Sequence, residues 1–273
     1  MARFDTPGRV AFRISTPAGR VTVDTWSEPG VEVDVTALRG DDGSRQAADE
    51  TRIEAKERGS LHEIVIEVPK REGRFGIFGR SPEIGIAIRC PEGADVDVTT
   101  HSSDVEGRGR LGDVIVKSAS GDVSVGDVRQ LLFNTASGDL SAGAVAGVLT
   151  AKSASGDVDI RSVGGPATVN TVSGDVRIGG TNEDATLNSV SGDIDLQAAG
   201  AGVRVSAVSG DVNVAARPGL ALWIDAQSVS GTMQSDLDVG DAPPSDETEP
   251  PVELRVRTVS GDVRISRSGA PVA

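Results

Sequence analysis

The chain has 273 residues, 37% hydrophobic, 3% aromatic and 25% charged, with 34 glycines. That apolar share excludes disorder on grounds of composition, and the near absence of rings requires a core of small and β-branched side chains. The net charge of −14 (27 Lys and Arg against 41 Asp and Glu) argues against phosphate backbones and anionic membrane surfaces as partners.

At the N-terminus, Met1–Pro7 carries no apolar stretch of the signal-peptide kind, and no later segment is long and apolar enough to cross a bilayer. The expectation is a cytoplasmic chain with no direct membrane insertion. Residues 1–100 read as strands at Val21–Thr25, Val31–Thr36, Ile64–Val68 and Ile84–Arg89, separated by Gly, Pro and Asp turns. We assign them to an antiparallel β module that caps the repeats after it. Lys70–Ser81, with Phe75, Ile77 and Phe78 between arginines, reads as a hairpin whose tip folds back on that cap or as an exposed contact loop. Cys90, the single cysteine, has no partner for a disulfide or a thiol pair and reads as a small core residue.

Gly107-Arg108-Gly109-Arg110-Leu111-Gly112 has the letters of a dinucleotide loop. The segment after it, Asp113–Lys117, is strand-like, so no helix N-terminus awaits a pyrophosphate, and a turn between coils is expected. His62 and His101 have no metal-ligand spacing.

From residue 101 the chain repeats. Ser-Gly-Asp begins at Ser120, Ser137, Ser155, Ser173, Ser191 and Ser209, at intervals of 17, 18, 18, 18 and 18. Ser230-Gly231-Thr232 and Ser260-Gly261-Asp262 come after longer intervals, while Ser102-Ser103-Asp104 is a degenerate copy one interval ahead of the series. Before each turn an apolar residue recurs (Val116, Phe133, Ala151, Val169, Leu187, Val205), followed by polar and then small positions. After it the pattern is apolar, polar, apolar, as in Val176-Arg177-Ile178 and Ile194-Asp195-Leu196. Alternation with period two marks strands, and Ser-Gly-Asp between them marks a turn. One strand–turn–strand unit in every interval predicts a parallel β-solenoid, right-handed, over 101–267. Asp236–Pro251, acidic and proline-rich, predicts an extruded loop within it. The edge after the last coil reads as weakly capped and open to pairing with another copy.

Asp122, Asp139, Asp157, Asp175, Asp193 and Asp211 fall in one column, for which a row of cations is the competing reading. One aspartate per coil without the denser glycine-rich calcium repeat favours a structural role, each carboxylate accepting from a turn amide. Lys117, Asn134, Lys152, Asn170 and Asn188 form one polar ladder, and Ser124, Asp159, Arg177 and Asp195 another. Trp26 and Trp223 are the only tryptophans available as a sugar platform. The uniform turn aspartates do not make the unequal carboxylate pair that glycoside cleavage needs.

With TVSGDVRI at 171–178, SVSGDIDL at 189–196 and TVSGDVRI again at 258–265, the chain resembles the bacterial putative-adhesin family of β-strand-repeat proteins. The resemblance implies a β-solenoid with a β-rich N-terminal part and no catalytic residues, and some relatives are tied to the cell envelope. We expect a non-catalytic, adhesin-like scaffold or interaction protein with no cofactor and no assigned catalytic or metal residues. Its partner would be a protein or a second copy, met through an edge or face of the solenoid. A cation- or ligand-binding solenoid using the aspartate column, and a carbohydrate-active enzyme, are the competing classes.

Overall fold

The structure, a computed structural model, describes residues 1–69, 81–237 and 251–269. The expected loops at 70–81 and 236–251 therefore fall almost wholly outside the described residues. The chain forms two compact units, Met1–Gly143 and Ala144–Ala273.

The first unit contains β1 (Ala2–Phe4), β2 (Arg9–Trp26), β3 (Val31–Ala37), α1 (Asp42–Asp49), β4 (Arg52–Arg58), β5 (Leu61–Glu67), β6 (Glu83–Pro91), β7 (Asp95–Ser120) and β8 (Val123–Ser137), and the division falls within β9 (Leu140–Val145). The expected antiparallel strands are present: β1 pairs with β3, β3 with β6 and β4 with β5. They surround a parallel coil that the repeat does not announce. The first half of β2 runs parallel to β5 and its second half parallel to β6, while β7 runs parallel to both halves from the other side. The bend between the halves sits at Ala18-Gly19, which turns the chain without the letters Ser-Gly-Asp. Phe12, Ile14, Val21 and Val23 of β2 are buried among Ile64, Ile66, Ile84, Ile86 and Ile88. At about 1.5–3 kcal/mol for each large aliphatic side chain removed from water, this aliphatic core stabilises the unit with little aromatic packing.

Helix α1 is an addition to the expected strands. Asp41 caps it, its Oδ1 accepting from the Ser44 amide at 2.7 Å, and Ser44 and Ala47 are its buried residues.

The second unit adds β10 (Leu149–Ser155), β11 (Val158–Val163), β12 (Ala167–Ser173), β13 (Val176–Ile178), β14 (Ala185–Ser191), β15 (Ile194–Ala199), β16 (Val203–Ser209), β17 (Val212–Ala216), β18 (Leu222–Ser230), β19 (Met233–Ser235), β20 (Val252–Ser260) and β21 (Val263–Arg267). Even-numbered strands stack as one parallel wall and odd-numbered strands as the other, in the register of the repeat, as in Val169↔Leu187 and Val176↔Ile194. Ala151, Val169, Leu187, Val205 and Val256 form one buried column, and Val158, Val176, Ile194, Val212 and Val263 face it. Parallel bridges Val163↔Thr181↔Ala199 close the third side.

The stacking order departs from the chain order at the end. Strand β16 pairs with β20, and β20 pairs with β18. Likewise β17 pairs with β21, and β21 with β19. The last coil in sequence, 252–267, lies inside the stack, and the coil 222–235 lies outside it. The weakly capped edge expected after the last coil is therefore the edge of β18 and β19.

Candidate functional site

The turns assign the aspartates a common job. In the first unit the Asp122 amide donates to Asp104 Oδ1 at 3.2 Å, and the Asp139 amide to Asp122 Oδ1 at 3.0 Å. In the second, the amides of Asp175, Asp193 and Asp211 donate to Asp157, Asp175 and Asp193 at 2.8, 3.0 and 2.8 Å. The Asp262 amide then donates to Asp211 at 2.8 Å and the Thr232 amide to Asp262 at 2.7 Å. Each of these acceptor carboxylates thus caps the turn amide of the next coil, and the degenerate Ser102-Ser103-Asp104 copy performs the same function as the others. Hydroxyls two residues before the turn serine add a second tie: Ser118, Thr135 and Ser153 donate to the carbonyls of Ser120, Ser137 and Ser155 at 2.6, 3.1 and 2.9 Å. Among the described residues no group of three His, Cys, Asp or Glu side chains is placed to hold a metal ion.

The outer face of the even-numbered wall in the second unit carries three parallel columns. The middle one is the expected polar ladder, Lys152, Asn170 and Asn188, continued by Ser206, Arg257 and Gln227. Asn188 Nδ2 donates to Asn170 Oδ1 at 2.9 Å, so neighbouring amides lock one another. Beside it stand Thr150, Thr168, Thr186, Arg204, Arg255 and Asp225. The third column consists of the residues just before the turn serines: Val172, Val190, Val208, Val259 and Val229, all between 45% and 82% exposed. Five valines at the strand spacing make an apolar stripe about 19 Å long. The repeat contains these valines as letters, yet its pattern alone gives them no role. The available signal is parity, because Val169 and Thr171 point inward and Val172 must then point out.

The second polar ladder, Asp159, Arg177 and Asp195, is likewise in register on the other wall and continues to Asn213, Arg264 and Gln234. Near its end a groove of about 440 Å³ is lined by Asn213, Arg264, Asp236 and Arg267. Arg264 pairs with Asp236 at 3.3 Å, and Arg267 donates to the carbonyls of Arg217 and Leu220 at 3.0 and 2.9 Å. Lys117 and Asn134 are register partners in the first unit, as are Glu106 and Ser124.

The remaining singled-out residues are structural. Gly107–Gly112 lies inside β7, where the register with β8 shifts between Gly107 and Arg110, so the stretch is a bend within a strand rather than a separate turn. Cys90 is buried, and burial, with a smaller contribution from Asp24, pushes its thiol up to about 12. His62 lies 3.2 Å from the Pro7 carbonyl, and the indole of Trp26 donates to the Gly30 carbonyl at 3.2 Å. Trp223 is 48% exposed on the outer face, with the Arg255 guanidinium 5.9 Å from its ring centre.

Residues 55–266 match the family model described as Toastrack DUF4097. No curated protein matches the chain. Solved structures similar to it include a putative adhesin from Parabacteroides distasonis, 12% identical, covering 97% of this chain and 95% of that one with a TM-score of 0.49. Another, a putative adhesin from Bacteroides fragilis, is 12% identical, with coverage of 96% and 95% and a TM-score of 0.45.

Proposed function

The chain belongs to the Toastrack DUF4097 family, and from that premise we propose that it is a non-catalytic, adhesin-like interaction scaffold whose solenoid presents side-chain ladders to a protein partner. The observation that carries this reading is the exposed valine column, Val172, Val190, Val208, Val259 and Val229. Single exposed apolar residues are ordinary on a protein surface, but a contiguous row repeated coil after coil is the kind of patch that protein contacts use. The neighbouring asparagines and threonines supply donors and acceptors at the same spacing, so an extended partner segment meets one apolar and two polar rows. The carboxylates of Asp122, Asp157, Asp175, Asp193 and Asp211 already accept an amide from the next coil, which supports a structural role for that column over a cation row.

The test is affinity capture from the source cells with wild-type chain and with the triple variant V172K/V190K/V208K. The substituted side chains are exposed, so the fold is expected to persist. A partner protein enriched by the wild type and lost with the variant is the expected result. Equal capture by both, or no reproducible partner, refutes the reading.

A further inference from the structure

Strands β4 and β18 each have one partner among the described residues, and their open edges are built very differently. Strand β4, paired only with β5, reads Arg-Ile-Glu-Ala-Lys-Glu-Arg, the charged composition that natural proteins use to block edge-to-edge pairing. Strand β18, paired only with β20, has one charge, Asp225, and that carboxylate is 3.3 Å from Arg255 and 3.9 Å from Arg257. The coil it belongs to is also incompletely covered. Leu222, Ile224 and Ala226 are partly exposed, whereas Leu254 and Val256 beside them in β20 are buried. Met233 is 53% exposed, whereas its register partner Val263 is buried.

We propose that this end of the second unit is a dimerisation surface taken by the same end of a second copy, with β18 antiparallel to its counterpart across a two-fold axis. Charge is the first argument. A chain carrying −14 can meet itself closely only where its acids are absent or neutralised, and among the described residues the β18–β19 coil is such a place, Asp225 being held by Arg255 and Arg257 and Asp236 by Arg264. The turn chemistry supplies the direction. Every Ser-Gly-Asp turn of the second unit caps the coil stacked upon it, but the outermost turn reads Ser230-Gly231-Thr232 and has no carboxylate to offer a following coil. A parallel, head-to-tail continuation would leave the added turn amide without the charged cap that every Ser-Gly-Asp turn of the unit supplies, and the charged edge of β4 is a poor mate for it. A two-fold, antiparallel pairing needs neither that cap nor that edge. Strand β18 is about 30 Å long. With the two walls about 10 Å apart and a side chain's depth outside each, the end is about 20 Å across and offers about 600 Å² per copy, the low end for a specific interface. The proposal is independent of the valine face.

Val252 donates to the Ala221 carbonyl, so in a parallel ladder the even residues from Leu222 to Ser228 turn their amides to the open edge. A226P removes one of those donors, and M233K places a charge on a side chain that is already exposed. Sedimentation velocity of the full 28.0 kDa chain over the micromolar to near-millimolar range is the test. The wild type is expected to pass from monomer to dimer and no further. Both variants are expected to remain monomeric with unchanged circular dichroism, and V208K, on the flat face, to dimerise like the wild type. If the proline disturbs the strand, M233K carries the test. A wild type that stays monomeric, an open series of larger species, or an M233K variant that dimerises like the wild type overturns the proposal.

Discussion

Replacing Gly192 with alanine tests the turn column directly. Gly192 has φ +137°, and a Cβ there would lie 2.2 Å from the Gly174 carbonyl oxygen and 2.7 Å from its carbon. That backbone region is essentially reserved for glycine and costs any other residue about 1–3 kcal/mol before contacts are counted. The clash cannot relax cheaply. The Gly174 amide donates to the Ser191 carbonyl and the Gly192 amide to the Ser209 carbonyl, both at 3.2 Å, while the Asp193 amide is held by Asp175. Moving Gly192 therefore strains the turns above and below it. The combined cost is about 4 kcal/mol or more, which places G192A among the severe substitutions. Gly219 is the internal control. It also has a positive φ, +84°, but a Cβ added there meets nothing within 4 Å, so G219A incurs only the conformational penalty of about 1 kcal/mol. At about 2 °C per kcal/mol for a chain of this size, thermal melts by circular dichroism should separate them, with shifts of about 8 °C and about 2 °C. Equal shifts would refute the close-stacked turn ladder as the source of stability.

Three further outcomes are expected, two from the turn column and one from the core of the first unit. D193A leaves the Asp211 amide without its acceptor and should lower stability by about 1–3 kcal/mol in urea unfolding, whereas D193N, which keeps an acceptor oxygen, should recover part of the loss. Cys90, its thiol raised to about 12 by burial, stays protonated in the folded chain at pH 9. It should react with a thiol reagent only after denaturation, and its stabilising contribution, complete below the ordinary thiol value near 9.0, should fall as pH rises toward 12. Excess calcium should leave the melting temperature within about 2 °C of its value in chelator, and a shift of many degrees would return the aspartate column to cation binding.

Much of the solenoid is legible because its repeat is written in residues whose chemistry is local. Ser-Gly-Asp specifies a turn, and the alternation around it specifies which side chains enter the core. The first coil is hidden because Ala18-Gly19 turns the chain with no acid and no serine, so no period can be counted through β2. Helix α1 is hidden because so short a helix gives a weak periodic signal, although Asp41 three positions before Ser44 is a recognisable cap. The valine column is in view as letters, but a valine in a strand reads as core until the inward parity of its neighbours is fixed.

The order of coils is a different matter. By itself the sequence determined the coil length, the two buried columns, the turn and the acids that cap it, since each depends on contacts that recur at a fixed spacing. It also carried the two longer intervals, before Ser230 and before Ser260, without their meaning. Only the tertiary structure decided that 252–267 slips between the coils 203–216 and 222–235. Parallel coils share the same hydrogen-bonding edges, so the period says nothing about which coil is stacked on which. The order matches what each edge offers: Asp262 caps the turn amide of the coil outside it, and Thr232, with no carboxylate, stands outermost.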